Sequence, residues 1–340
     1  MSGFHLLPGL SGVHIVKVVA SAVACHYVAV SSDGVAYVWG RNENGQLGTG
    51  NINNVYLPSA VSAVTGVIDA AVGKGHTLLL TRSGSLWAAG STNKGQCGVG
   101  KITDVPVLAW TPCRISGIVK VAAGNEFSVC CDKDGRLYSC GSKENGQTGL
   151  GKTGERIETA GKVTFDFVHT FVMHQTGEIF GQKVIDVACG AVHGACLTDV
   201  GTVYTWGCGG FGRLGHKNVE EQLLPTKVAF FGDRIDRKCR LVSCGASCTY
   251  FTCGQKEMVR LPPPPALASA SHVSLATDRC IHVRHPCKDR RSQHVPQAHP
   301  GAEWLECPQR VCRPSVHYRR RRRCTRVLGQ LPHGWRARVR

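Results

Sequence analysis

Long helical patterns, long hydrophobic runs and closely paired cysteines are all missing from this 340-residue sequence. No stretch sustains a 3.6-residue apolar period, which excludes a helical bundle or coiled coil. The most apolar segment, residues 18–30, is interrupted by His26. The N-terminus carries no charged region ahead of an apolar core, so neither a membrane span nor a signal peptide is expected. Among the 18 Cys there is no Cys-x-x-Cys, which leaves no nucleus for a zinc site. Thirteen of the Cys fall within residues 1–253, several where the repeats described below carry small residues, as at Cys189 and Cys244. They are expected to be reduced packing residues of an intracellular protein rather than a disulfide framework. No Ser/His/Asp set or carboxylate pair converges, and the one Gly-x-Gly-x-x-Gly, starting at Gly207, has no helix after it. No catalytic residues, metal or other cofactor are therefore expected.

What is present is a repeated ruler. Four markers, His26, His76, Phe127 and His193, are each followed by Gly at offsets 8, 14 and 22. The first two units give Gly34, Gly40 and Gly48, then Gly84, Gly90 and Gly98; the last two give Gly135, Gly141 and Gly149, then Gly201, Gly207 and Gly215. The offsets are fixed while the gaps between markers vary (50, 51 and 66 residues), so the unit is a supersecondary block with loops of adjustable length. One His per unit at a fixed offset marks a structural hydrogen-bonding residue rather than a catalytic base.

Each unit holds a short apolar run, a turn ending in Gly and a second run that ends, in the first and last units, at Trp39 or Trp206. That is a hairpin. A third run precedes the marker, and a fourth strand is expected from segments such as residues 57–64. The loop after the hairpin places two Gly three residues apart, Gly45 and Gly48 in the first unit, where the backbone can take positive φ. Leu47 and Leu214, between such glycines, are expected to point between neighbouring sheets; Cys97 and Thr148 take that place in the second and third units, which are expected to pack less well. Small four-stranded sheets bury both faces only against each other, and radial packing of such units makes an all-β β-propeller.

The segments Trp39–Gly48, Ala188–His193 and Trp206–His216 resemble the regulator of chromosome condensation (RCC) repeat family, and the last resembles most closely its telophase-disc, chromosomal-passenger branch. The likeness covers roughly residues 13–253. It implies a seven-bladed ancestor, of which about four blades and a fragment are present. It also implies an interaction platform rather than a metabolic enzyme, with a small GTPase of Ran or Rac type as partner, in some members through guanine-nucleotide exchange. Chromatin, centromere or spindle contacts are implied as well, with residence in nucleus and cytoplasm, on chromosomes and spindle in mitosis. A non-catalytic scaffold and a non-functional truncated product are the alternatives. The family's basic N-terminal extension has no counterpart ahead of His26.

After Cys253 the ruler fails, since the positions due for Gly hold Lys256 and Pro262. Residues 254–340 carry 18 Lys plus Arg against 5 Asp plus Glu, four consecutive Pro and the run Arg319–Arg323. Such composition reads as a disordered arm able to hold nucleic acid non-specifically. A shifted reading frame is the competing origin: back-translating residues 311–340 one nucleotide out admits an apolar run, an acidic turn, Trp-Gly and Gly-Gly-Glu-Leu-Gly in repeat order. The expected organisation is thus repeats over 1–253 and a frameshift-derived tail over 254–340. Within the repeats, residues 152–183 lengthen the third inter-unit gap. They are expected to form an insertion on one face that binds a partner through Phe165, Phe167, His169 and Phe171.

Overall fold

The computed structural model describes residues 7–158, 161–231, 238–253 and 279–283. Four antiparallel four-stranded sheets follow one another, each with sequential strand order. Blade 1 comprises β1 (Ile15–Val19), β2 (His26–Ser31), β3 (Ala36–Gly40) and β4 (Val55–Ala60). Blade 2 comprises β5 (Val67–Val72), β6 (His76–Thr81), β7 (Leu86–Gly90) and β8 (Val107–Pro112). Blade 3 comprises β9 (Ile118–Ala123), β10 (Phe127–Asp132), β11 (Leu137–Ser142) and β14 (Phe167–Met173), with the small hairpin β12 (Arg156–Ile157) and β13 (Val163–Thr164) between its last two strands. Blade 4 comprises β15 (Val184–Cys189), β16 (His193–Thr198), β17 (Val203–Gly207) and β18 (Gln222–Lys227). Blade 5 has β19 (Cys239–Cys244), β20 (Thr249–Cys253) and β21 (Arg279–Val283). The fourth strand of the first unit is Val55–Ala60, starting two residues before the expected 57–64 and ending four before it.

The turn glycines sit where only Gly is unstrained. Gly34, Gly84, Gly135 and Gly201 have φ between +78° and +83°, and the Gly34 N–H closes the turn onto the Ser31 carbonyl at 3.0 Å.

Packing between blades supplies the core. Alternate residues of one strand serve two interfaces: Leu79 joins Val28, Val30 and Leu47 between blades 1 and 2, whereas Leu78 and Leu80 join Cys97 and Cys130 between blades 2 and 3. Phe127, Cys196 and Trp206 fill the next interface, and Leu197, Val242 and Phe251 the one after. Cys97 and Thr148, at the positions where looser packing is expected, are both fully buried, and the Thr148 hydroxyl is buried without a hydrogen-bond partner. Phe171 presses onto Gly98 and Trp206 onto Gly149, as Trp110 does onto Gly48; a Cβ on those glycines would lie 2.5–2.8 Å from the rings.

The sequence reading ended the repeats at residue 253, yet Arg279–Val283 runs antiparallel to β20. The Arg319–Arg323 run and the shifted-frame segment lie outside the described residues.

Candidate protein-interaction face and the frame that holds it

Each marker His reaches into the next blade. His26 Nε2 lies 2.7 Å from Thr77 Oγ1, His76 Nε2 is 2.8 Å from Ser128 Oγ, and His193 Nε2 is 3.1 Å from Thr249 Oγ1. Each hydroxyl donates to a main-chain carbonyl of the His-bearing unit: Thr77 to Gln46 at 2.6 Å, Ser128 to Gln96 at 2.8 Å and Thr249 to Arg213 at 2.8 Å. With its proton committed, the hydroxyl accepts, so the network assigns the imidazole proton to Nε2. The opposite nitrogen, Nδ1, is buried without a hydrogen-bond partner in all three rings. Burial pushes His26 down to about 4 and both His76 and His193 down to about 3, so these rings are neutral.

The third interface uses other chemistry for the same carbonyl. Phe127 replaces the His and Gly194 replaces the hydroxyl residue; a Cβ at Gly194 would lie 2.4 Å from the Trp206 ring. Into that space comes the Trp206 indole, whose Nε1–H donates to the Gln147 carbonyl at 2.9 Å. An apolar marker with an indole donor thus stands in for an imidazole with a hydroxyl. Sequence reasoning located His26, His76 and His193 but missed their partners. The signal was the hydroxyl residue immediately after the next marker, Thr77, Ser128 and Thr249.

The first strands of all five blades line a channel of about 340 Å³. A register shift recurs in each of them. It leaves Lys17, Asp69, Lys120, Asp186 and Leu241 at equivalent positions, opposite the fourth residue after each marker. Lys17 Nζ pairs with Asp69 at 2.6 Å. Burial raises the Asp186 carboxyl, and the Lys120 charge opposes that rise. The channel is an alternating-charge seam between blades.

Residues 152–183 are not one projecting insertion. Phe167, His169 and Phe171 stand on β14, the fourth strand of blade 3, paired with β11. Phe171 is committed to the interface at Gly98, which removes it from any exposed contact set. The projecting part is the hairpin β12–β13, where Ile157 and Val163 face each other in register and are 77% and 46% exposed. Beneath it lies a cleft of about 620 Å³ whose lining includes Lys94, Ile102, Arg156, Lys162, Phe165 and Phe167. Lys94 Nζ sits 4.3 Å over the Phe167 ring, and Arg156 pairs with Asp166. The hairpin thus combines an exposed apolar pair with a charged, aromatic cleft. Among the described residues no cluster of three or more His, Cys, Asp or Glu could hold a metal, and no helix is long and apolar enough to cross a membrane.

Models of the regulator of chromosome condensation (RCC1) repeat match residues 33–80, 83–131 and 200–252, and a second model of the same repeat matches 15–46, 67–96, 118–147 and 184–213. Over 261 residues the chain is 35% identical to human Protein RCC2, covering 73% of this chain and 50% of that protein. It is 30% identical to the Ultraviolet-B receptor UVR8 of Arabidopsis thaliana, covering 67% of this chain and 49% of the receptor. The chain therefore spans about half the length of the curated relatives it matches. Among solved structures, Prp20p of Saccharomyces cerevisiae aligns with a TM-score of 0.61 at 24% identity, covering 72% of this chain and 56% of that one. Human WBSCR16 aligns with a TM-score of 0.58 at 22% identity, covering 72% and 59%. Both structures share the blade fold.

Proposed function

We propose that this chain, which belongs to the regulator of chromosome condensation (RCC1) repeat family, is a protein-interaction platform for a small GTPase, linked to chromosomes or the mitotic spindle. The observation that carries the reading is the β12–β13 hairpin: an exposed apolar pair held on a frame of interlocked blades, over a cleft lined by Lys94, Arg156 and Lys162 and by Glu144, Glu158 and Asp166. A rigid frame lowers the ordering cost of binding, and an apolar pair flanked by side chains of both charges suits the apolar centre and polar rim of a protein interface. A further support is Prp20p, a structural relative studied for its binding to Gsp1p and histones. On this reading the protein acts by binding, resides in nucleus and cytoplasm and joins chromosomes or spindle in mitosis. A Rac-type or Ran-type partner and acceleration of nucleotide exchange are its finer forms.

Titration against a panel of Ran- and Rac-type GTPases, nucleotide-free and nucleotide-loaded, tests the reading. Saturable binding to one member, weakened at least about tenfold by Ile157→Asp, is expected. Binding to none would overturn it. Release of a fluorescent nucleotide in the same mixtures separates exchange from simple scaffolding. A pure scaffold leaves the release rate unchanged.

A further inference from the structure

One position of the fourth strand changes identity from blade to blade. Strand pairing equates Pro58, Trp110, Phe171 and Pro225 in blades 1 to 4. In blades 2 and 3 the ring at this position covers a glycine from the loop of the blade before, Trp110 over Gly48 and Phe171 over Gly98. Phe171 does so with hydrocarbon alone, so the packing does not call for an indole. Trp110 brings an N–H in addition. The residue is only 7% exposed, and among the described residues its Nε1–H reaches no protein acceptor, whereas the Trp206 Nε1–H donates to the Gln147 carbonyl at 2.9 Å. Nor is the Trp110 nitrogen sealed off: the side-chain atoms both sealed and unpartnered, among the described residues, are four imidazole nitrogens and the Thr148 hydroxyl. A buried donor without an acceptor is costly.

The donor opens onto space. Trp110 and Gly48 share the wall of a cavity of about 310 Å³, and Nε1 is the ring atom nearest Gly48, 2.5 Å from where a Cβ would lie. Val38, Leu47 and Val61, all buried, are further walls, and the exposed Ser59 and Ser62 mark the opening. Every wall residue lies in blades 1 and 2, within the unbroken described stretch 7–158, and none belongs to the hairpin cleft. The volume is many times the roughly 30 Å³ of one water and falls at the lower bound, roughly 300 Å³, of small-molecule clefts. Among the described residues no charged side chain lines the cavity, so an ion would be desolvated there without a partner. The desolvated polar group in the wall is a donor, and the ligand must supply an acceptor.

We propose that this cavity is a binding site for a small, uncharged, largely apolar carbonyl compound, whose oxygen accepts the Trp110 Nε1–H while its hydrocarbon body lies on Val38, Leu47 and Val61. The ligand takes the place at Trp110 that the Gln147 carbonyl takes at Trp206. Water alone is the competing occupant.

The test is nuclear magnetic resonance of the full chain with isotopically labelled tryptophan, titrated with acetophenone to about 10 mM, a range suited to a ligand of about nine heavy atoms. Trp110→Phe identifies the Trp110 indole N–H signal by its loss. That signal is expected to move saturably while the Trp206 signal stays in place. Ligand-detected saturation transfer then ranks affinities. Ethylbenzene, the same shape without the oxygen, should bind the chain at least about threefold more weakly than acetophenone, as should acetophenone the Trp110→Phe chain, for the loss of one hydrogen bond. Benzoate, which carries a charge, should not displace acetophenone. Phe171 shows that a phenyl ring is tolerated at this position; should Trp110→Phe nonetheless fail to fold, Ser62→Phe, which blocks the opening from an exposed position, should abolish binding. A Trp110 signal that stays in place or moves without saturating, as water alone in the cavity gives, would overturn the proposal. So would equal affinity for ethylbenzene, or binding indifferent to Trp110→Phe and Ser62→Phe.

Discussion

Acid should unlatch the blades well above the pH at which carboxylates protonate. In the folded chain the rings of His26, His76 and His193 are neutral, with Nε2–H donated across an interface and Nδ1 facing no acceptor. Their folded values are about 4, 3 and 3, against about 6.5 for a solvated imidazole. Since the folded value is depressed for a group charged when protonated, the unfolded chain takes up protons first as pH falls. Stability is therefore full above about pH 6.5 and declines from there towards pH 4 to 3. At pH 5 each ring contributes a loss of about 2 kcal/mol, or about 6 kcal/mol for three, which rivals the whole stability of an ordinary domain. Urea unfolding followed at pH 7.5, 6 and 5 measures this. Phe127 shows that an apolar ring is tolerated at the marker, so His76→Phe supplies the control: its acid loss between pH 7.5 and 5 should be smaller by about 2 kcal/mol. Equal stability at pH 7.5 and 5, or an unchanged pH slope in His76→Phe, would refute the reasoning.

Three further outcomes follow from the same frame. Gly48→Ala places a methyl 2.5 Å from the Trp110 ring at φ +62° and should cost about 2 to 4 kcal/mol, whereas Gly50→Ala meets nothing within 4 Å and should cost only about 1 kcal/mol of backbone strain; thermal melts separate the two. Trp206→Phe keeps most of the ring but strands the Gln147 carbonyl, and a loss of about 1 to 3 kcal/mol is expected in urea titration. Thiol labelling of the folded chain should reach exposed Cys25 far sooner than Cys97, Cys130 and Cys140, whose buried thiols are pushed well above the ordinary value by loss of solvent; mass spectrometry of the labelled peptides reads the order.

The blade frame was largely legible in the sequence because its determinants are local. A Gly that must adopt positive φ, as at Gly34, or that must admit a ring, as at Gly48, leaves a mark at a fixed offset. Strand periodicity of two does the same for Val28 and Val30. Contacts between units were harder, since Thr77 means nothing until His26 is brought beside it from 51 residues away. Trp206 was read as the end of a hairpin, and its second task at the Gln147 carbonyl arises only because Phe127 and Gly194 vacate the usual latch. The binding face was partly misread for a related reason. Length alone does not say which half of residues 152–183 returns to the sheet, and β14 takes Phe167 and Phe171 into the blade while β12 and β13 stand clear.

The central functional claim is that the β12–β13 hairpin is where a small GTPase docks. Hydrogen exchange of the full chain, free and saturated with the GTPase that binds best in the panel, tests it directly. The account predicts slowed exchange concentrated over residues 156–164 and the adjoining cleft strand, lost in Ile157→Asp. Protection elsewhere with residues 156–164 unchanged would contradict it.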